Sequence, residues 1–203
     1  MKKIIFLISC VWLLFGQLAV AQEPKIVHEP IFPTSYTNGK PPVFEHERGQ
    51  QLGYEPNTLR LKDHVFTFSD LSGNTGKNND FTRLMEEIDK NVVVKVGQKG
   101  LNTFFGHYYD LSGTGVFNPI VDEQLIEIGS PIIVTDNDGY SKGYQVTQIL
   151  EVLNAEQDQH YYGKEHLPVF VYEGNGMDMV YVQYCRWDIS YGLLIGNIAY
   201  RVW

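Results

Sequence analysis

From Asn91 to the C-terminus, the sequence is a succession of short runs of β-branched and aromatic residues separated by turn residues. Asp136-Asn137-Asp138-Gly139 is the strongest of these turn signals. Successive short strands joined in this way favour a closed β-barrel or a sandwich over βαβ units. The predicted strands are residues 92–94, 103–105, 131–135, 144–152, 169–172, 180–185 and 198–203.

The segment before Asn91 adds a strand region and one helix. Residues 59–61 and 65–68 predict a first strand pair or one bent strand. Apolar residues then recur at helical spacing after a capping residue, Asn79 or Asp80, and this stripe is typical of core packing. Its members are Phe81, Leu84, Met85 and Ile88. The expected fold class is therefore all-β, with one or two short helices.

The N-terminus has the pattern of an export signal. Met1-Lys2-Lys3 is a short basic region, residues 4–15 are almost wholly apolar, and Ala19-Val20-Ala21 forms a small-residue cleavage site. We interpret residues 1–21 as a signal peptide, with an uncleaved membrane anchor as the alternative. Both interpretations place the protein outside the cytoplasm, in an extracellular, periplasmic or membrane-associated location.

The remaining chain divides into an arm and a domain. Residues 22–57 are rich in proline and polar residues, which is typical of an extended arm, and residues 58–203 carry the predicted barrel. About 180 residues are enough for one domain with a substantial core. Loss of Lys2 and Lys3 from 16 basic residues leaves 14 against 24 acidic ones, a net charge of −10. This balance argues against nucleic acid and anionic membrane as main partners.

Cys185 ends one of the predicted strands and is the only thiol left once the leader, which contains Cys10, is removed. An unpaired cysteine in an exported protein is an intermolecular bridge, a buried small hydrophobe or a reactive thiol. A reactive thiol needs a base or a cation nearby. His107 follows another predicted strand, and Arg201 lies within the last one. Antiparallel pairing of residues 180–185 and 198–203 around a connection at 187–196 is expected to bring Arg201 near Cys185.

From about residue 97 onward, the order of these features resembles the sortase family. A Gly-His pair follows a strand, a Phe and a hydrophobic position come next, and a strand then ends in the nucleophilic cysteine. The matching residues are Phe105-Gly106-His107, Phe117, Ile120, Gly129-Ser130 before residues 131–134, Tyr144-Gln145-Val146, Tyr181-Val182-Gln183-Tyr184-Cys185 and Arg201. Both threonines of the family's cysteine motif are tyrosines here, and Ser130 replaces an aspartate.

The resemblance implies a sortase-like closed barrel and a cysteine transpeptidase. Such an enzyme cleaves a C-terminal sorting signal related to Leu-Pro-x-Thr-Gly and passes the acyl group to an amine of the cell wall or of a pilin. Cys185 is then the nucleophile, His107 the acid and base, and Arg201 the donor to the oxyanion. Neither a metal nor another cofactor is implied. The site of action is near the membrane surface.

Two other functions fit the residues. A different cysteine acyltransferase, such as an L,D-transpeptidase of peptidoglycan, places an arginine soon after the cysteine, which Arg186 matches, although the glycine expected before the cysteine is absent. A non-catalytic barrel that binds a peptide or a cell-wall component fits the two tyrosine substitutions. His160 and His166 lie close in sequence to Asp158 and Glu165. We interpret the four as surface residues rather than as a cation site.

Overall fold

A computed structural model of the chain describes residues 25–26, 31–72, 81–98, 101–109, 114–153, 177–188 and 191–203. The predicted leader, residues 1–21, and the predicted strand at 169–172 lie outside these ranges. The strands are β1 (Lys25–Ile26), β2 (Gln50–Gln51), β3 (Thr58–Leu61), β4 (His64–Asp70), β5 (Val93–Gln98), β6 (Leu101–His107), β7 (Pro131–Thr135), β8 (Tyr140–Leu153), β9 (Met179–Asp188) and β10 (Tyr191–Arg201). The helices are α1 (Phe81–Ile88) and α2 (Asn118–Asp122).

Eight of these strands close into a barrel. Their order around it is β8, β10, β9, β6, β5, β4, β3 and β7, and β7 pairs back with β8. The β4–β5 and β6–β9 pairs are parallel, and the other pairs in the barrel are antiparallel. Closure leaves the barrel without a free edge, and the short strands β1 and β2 add only to β8. The prediction of an all-β closed barrel with one or two short helices is confirmed.

Side chains alternate along the strands between the barrel interior and its outer face. Phe104 on β6 and Val180 and Val182 on β9 are fully buried in the interior cluster. Their neighbours Phe105 and Tyr181 belong to two separate clusters outside it. This period of two fixes which positions at the ends of β6 and β9 face outward.

Helix α1 covers part of the outer face. The apolar stripe predicted a helix here, and the structure confirms it. Leu84 and Ile88 pack with Val94 and Phe105 of β5 and β6. Helix α2 begins just after Phe117 and carries Pro119 in its first turn, where a missing N–H loses no helical bond. Ile120 of this helix is buried in the interior cluster.

The structure decides two predictions about the strands β3, β4, β7 and β8. Residues 59–61 and 65–68 belong to two antiparallel strands, β3 and β4, rather than to one bent strand. The predicted turn at 136–139 joins β7 to β8. The Asp136 carboxylate accepts hydrogen bonds from the backbone N–H groups of Asp138 and Tyr140, at 2.9 and 2.8 Å.

The described part of the proline-rich arm lies against the barrel. The N–H of Ile31 donates to the carbonyl of Thr147 at 2.9 Å, and the Tyr36 hydroxyl donates to the carbonyl of Arg201 at 2.8 Å. Arg48 pairs with Asp138 in the turn between β7 and β8. Neither helix in the described ranges is long and apolar enough to cross a membrane.

Candidate active site

His107 and Cys185 occupy paired positions on neighbouring strands. His107 is the last residue of β6, and the parallel ladder between β6 and β9 pairs it with Cys185. Paired residues on adjacent strands lie about 5 Å apart along the direction of the ladder hydrogen bonds. The structure therefore brings together the two residues that the sequence analysis selected as nucleophile and acid.

Strand alternation also places the two positions on the same face. Along β6, Phe104 is in the interior cluster and Phe105 is outside it, so position 107 faces outward. Along β9, Val182 and Tyr184 are in the interior cluster, so position 185 shares the outer face with Tyr181 and Gln183. Register and alternation thus assign positions 107 and 185 to one face of adjacent strands, and a histidine on the strand next to a cysteine is one of the groups that can activate a thiol.

Backbone and side-chain hydrogen bonds hold the chain that follows His107. The carbonyl of His107 accepts from the N–H of Phe117 at 2.9 Å. Asn118 bonds both backbone groups of Tyr109, at 2.9 and 2.8 Å. Asn91 does the same for the other end of the loop, bonding the carbonyl of Thr114 and the N–H of Val116 at 2.7 Å each. The two asparagines fix the backbone on both sides of residues 110–113.

The imidazole of His107 has two further neighbours that sequence reasoning missed. Its ring stacks on Tyr109, with centroids 4.9 Å apart and an interplanar angle of 29°. Its Nε2 lies 3.4 Å from Oδ1 of Asp89, the residue that directly follows α1. Nothing in the linear pattern marks Asp89, because its approach to His107 depends on how α1 packs on β5 and β6.

Gly106 is required by the packing beneath His107. A Cβ at this position would lie 2.6 Å from Cδ2 of Phe117, whose side chain is fully buried in the interior cluster. This contact is much shorter than van der Waals distance, so position 106 has no space for a side chain. The Gly-His pair thus has a steric explanation, since the glycine lets Phe117 seat directly under the end of β6.

The two tyrosines in the cysteine motif, Tyr184 and Tyr181, pack on opposite faces of β9. Tyr184 is buried in the interior cluster, and its ring lies near Tyr108 and Phe117 with centroids 6.4 and 6.5 Å away. Tyr181 lies outside and covers Gly196 of β10 so closely that a Cβ there would be 2.1 Å from the phenol oxygen. Both bulky side chains are therefore part of the packed barrel.

Arg201 is not beside Cys185, and this expectation from the sequence is wrong. In the antiparallel ladder between β9 and β10, Cys185 pairs with Leu194. Arg201 is seven residues further along β10, about 23 Å away at 3.3 to 3.4 Å per residue. The error comes from the connection: residues 187–196, predicted as the link between the strands, are largely paired strand.

Arg201 instead forms a buried network at the opposite end of the barrel. Its side chain is 2% exposed, and its guanidinium donates to the carboxylate of Asp178 at 3.2 Å and to three backbone carbonyls. The ring of Phe44 lies 4.1 Å from the guanidinium carbon. The three carbonyls belong to His46, Glu47 and Trp203. Arg201 therefore ties the N-terminal arm to the barrel and the C-terminus.

Asp178 extends this network to β8. Its carboxylate accepts from Lys142 at 2.6 Å and from the hydroxyl of Tyr144 at 2.9 Å. Burial raises the pKa of Tyr144 well above its ordinary value, and the neighbouring Asp178 raises it further. Burial and Asp178 together raise the pKa of Tyr36 to about 12. These phenols stay protonated and act as hydrogen-bond donors.

The register neighbours of Cys185 are His107 and Leu194, so neither strand that flanks it presents an arginine there. Arg186 follows Cys185 directly and pairs with Leu193 on β10. Strand alternation assigns Arg186 and Cys185 to opposite faces of β9. In the described ranges, no group of three His, Cys, Asp or Glu residues is placed to hold a metal ion, and the His160 and His166 cluster lies outside those ranges.

No protein-family model and no curated protein matches the chain. Among solved structures it is similar to sortase A from Corynebacterium diphtheriae, with 17% identity, a TM-score of 0.46, and 71% of this chain and 59% of that chain covered. Sortase C1 from Streptococcus agalactiae gives 13%, 0.45, 72% and 66%, and sortase C-1 from Actinomyces oris gives 14%, 0.44, 71% and 72%. The match thus spans less than two thirds of the diphtherial enzyme. Similarity at this identity and TM-score says nothing about chemistry. The strand ladders themselves establish the barrel.

Proposed function

We propose that this chain is a sortase-like cysteine transpeptidase in which Cys185 and His107 carry out the chemistry. The observation that supports it most is the register pair of His107, at the end of β6, and Cys185 on the parallel strand β9, at positions that strand alternation assigns to one outer face of the barrel. The two tyrosines of the cysteine motif are accommodated by packing, so they are compatible with a functional thiol at position 185.

The proposed reaction has two acyl transfers. The Cys185 thiolate attacks the carbonyl of a peptide bond in a sorting signal, and the tetrahedral intermediate collapses as the C–N bond breaks and a thioester forms. His107, as imidazolium, gives its proton to the departing amine. An amine acceptor then attacks the thioester and passes a proton to His107, and Cys185 leaves as thiolate.

His107 is well placed for proton transfer because its surroundings fix it. The asparagine-held backbone and the stacked Tyr109 limit ring movement, and Asp89 lies 3.4 Å from Nε2. A carboxylate beside the ring orients it, as the third group does in nucleophile–base–acid arrangements. Asp89 is a positioning residue in this scheme, since it acts through His107.

In this proposal Arg201 is not the donor to the oxyanion. A group about 23 Å from the thiol position cannot hydrogen-bond a tetrahedral intermediate formed there. A backbone N–H near Cys185 takes that role. Arg201 is proposed instead to hold the arm, the C-terminus and Asp178 together.

A second candidate function, a non-catalytic barrel that binds a peptide or cell-wall component, is favoured by one specific observation. Cys185 faces Leu194 on β10 instead of an arginine. An acyltransferase of the L,D-transpeptidase kind, with Arg186 as its cation, stays as a further alternative. The proposed partners are a sorting-signal peptide of an exported protein and an amine acceptor, at the extracellular or periplasmic side of a membrane.

The test is intact mass spectrometry after incubation with a pool of Leu-Pro-x-Thr-Gly-like peptides without an acceptor amine. The proposal predicts a covalent adduct equal in mass to the peptide up to its threonine, absent from Cys185→Ala. Thioester formation in His107→Ala should fall by roughly 100-fold or more, the usual effect of losing a positioned general acid. If no sorting peptide formed an adduct and peptidoglycan stem peptides did, the protein would instead be an acyltransferase of the L,D-transpeptidase kind.

A further inference from the structure

A charged pocket lies in the mouth of the barrel at the end remote from Cys185. Its volume is about 230 Å³, several times the ~30 Å³ that one water molecule occupies in the liquid. Its lining includes Tyr144, which pairs with Arg201 across β8 and β10 and so marks the Arg201 end of the barrel. An eight-stranded barrel is wide enough to hold one small ligand, and barrel mouths are frequent ligand sites. The pocket therefore has the place and the size of a small-molecule site.

Strand alternation explains why charged side chains point into the barrel at this end. On β5, Lys95 follows Val93 by two positions, and Val93 is fully buried in the interior cluster. On β8, Lys142 precedes Tyr144 of the same cluster by two positions. Lys95 and Lys142 therefore face inward, and their side chains are only 13% and 27% exposed. A cation with little water around it gains more from an anion than a fully hydrated one does.

The lining of the pocket is positively charged, although the protein as a whole is acidic. Arg48, Lys95 and Lys142 contribute three positive charges to it, and Asp136 contributes one negative charge. The formal net charge of the whole chain is −8. The carboxylate of Asp136 is already engaged, since it accepts hydrogen bonds from two N–H groups of its own turn. The lining thus favours an anionic ligand.

The two lysines keep donors that the fold does not use. Lys95 bonds the carboxylate of Asp70, and Lys142 bonds that of Asp178, each at 2.6 Å. These carboxylates offset the lysine charges but do not line the pocket. An ammonium group has three N–H donors, and each lysine uses one of them within the described part of the chain. Donors in excess of acceptors select a ligand with several oxygen atoms.

Arg48 brings a third donor group to the pocket from the arm. Its guanidinium carbon lies 4.1 Å from the centroid of the Tyr140 ring, and the guanidinium pairs with Asp138 in the neighbouring turn. The carbonyls of the two residues before Arg48 accept hydrogen bonds from Arg201, which holds this part of the arm at the mouth. A guanidinium carries five N–H donors in a fork that matches the oxygens of a phosphate. Donors that come from the arm, β5 and β8 suit a tetrahedral oxyanion better than a planar carboxylate.

We propose that this pocket binds a small phosphate-bearing molecule, with Arg48, Lys95 and Lys142 donating hydrogen bonds to the phosphate oxygens. Inorganic phosphate and the phosphomonoester of a small molecule present the same chemistry to these donors. The site lies at the other end of the barrel from Cys185 and does not depend on the proposed transpeptidase chemistry. Because Arg48 belongs to the arm, the bound ligand links the arm to the barrel and stabilises the folded state.

The experiment is isothermal titration calorimetry of the wild-type protein with sodium phosphate, near neutral pH and at constant ionic strength. Arg48→Ala and Lys142→Met should each raise the dissociation constant roughly ten-fold or more, because each removes a charged hydrogen-bond donor. Lys90→Met is the matched control and should change the constant by less than about two-fold, since Lys90 is an exposed lysine that pairs with Glu87 and does not line the pocket.

Glycerol phosphate distinguishes the two sources of the ligand. Binding tighter than that of inorganic phosphate would assign a phosphomonoester, because the glycerol part then makes contacts of its own. Equal or weaker binding would assign the free ion. Acetate and chloride at the same ionic strength should give no comparable heat, since neither is a tetrahedral oxyanion.

Protection of lysines from acetylation keeps the test decisive where a variant fails to fold. In wild-type protein, saturating phosphate should slow the acetylation of Lys142 by an N-hydroxysuccinimide ester and leave that of Lys90 unchanged, as measured by peptide mapping. Absence of heat with both phosphate probes at tens of millimolar would overturn the proposal. So would unchanged binding in Arg48→Ala and Lys142→Met, unprotected Lys142, or an equal response to acetate.

Discussion

His107, the last residue of β6, pairs in register with Cys185 on β9 in the parallel ladder that joins those strands. The β5–β6 hairpin and the β9–β10 hairpin are remote in sequence, and this single parallel pairing joins them. A chemical role that needs both residues therefore depends on correct closure of the barrel. This pair is the proposed reactive centre, and Arg201 is proposed to be a structural residue.

Arg201→Ala should destabilise the protein by about 3 to 5 kcal/mol, because the hydrogen bonds of the buried guanidinium to Asp178 and to three backbone carbonyls are lost, each worth about 1 kcal/mol. Urea unfolding measures the effect. Arg48→Ala, which removes a surface pair with Asp138, should cost at most about 1 kcal/mol. A stable Arg201→Ala protein that no longer forms the thioester would instead support the catalytic role that the family resemblance implies.

Gly106→Ala should destabilise the protein by about 1 to 3 kcal/mol, since the added methyl group overlaps the ring of Phe117. Adding Phe117→Leu should recover part of this loss, so the double variant should lose less stability than the sum of the losses in the two single variants. Thermal unfolding of the three variants provides the comparison. Strict additivity would show that the ring of Phe117 does not exclude a side chain at position 106.

Asp89→Asn should lower the rate of thioester formation by roughly two- to five-fold, as expected for loss of a largely exposed charge pair. Glu86→Gln, which changes an exposed acidic residue on the preceding helix, is the control and should leave this rate unchanged. Thioester formation at the wild-type rate in Asp89→Asn would remove the positioning role.

The stability of the protein should fall steeply as the pH rises from about 10 to 12. Burial and the nearby Asp178 raise the pKa of Tyr36 to about 12, so the folded state keeps a proton that the unfolded chain loses near pH 10. The contribution of this group is complete below pH 10 and disappears as the pH reaches 12. Tyr36→Phe should reduce the slope of unfolding free energy against pH in this window, and an unchanged slope would contradict the raised pKa.

The barrel was predictable because its strands carry a local pattern. Alternating and β-branched runs identified most of them, and the stripe containing Leu84 and Ile88 identified α1. The last strand was predicted to begin at residue 198, whereas β10 begins at Tyr191. Gly196 is within the strand, where the absence of a side chain makes room for the ring of Tyr181, and this exchange between neighbouring strands has no signature in the linear sequence.

The candidate site was only partly predictable for a related reason. His107 and Cys185 were selected from their order in the chain and from resemblance to a family, and the position of Arg201 followed from the misplaced turn. Asp89 was found only through packing, because it approaches His107 beyond the end of α1. A tertiary contact of this kind cannot be inferred from spacing alone.

The most direct test of the reactive pair is the rate at which iodoacetamide alkylates Cys185 between pH 5 and 9, measured in wild-type protein and in His107→Ala. Peptide mapping by mass spectrometry separates Cys185 from Cys10. Wild-type Cys185 should be alkylated at pH 6 roughly ten-fold or more faster than Cys185 in His107→Ala, because a neighbouring imidazolium stabilises the thiolate. Superimposable pH–rate profiles for the two proteins would contradict this expectation.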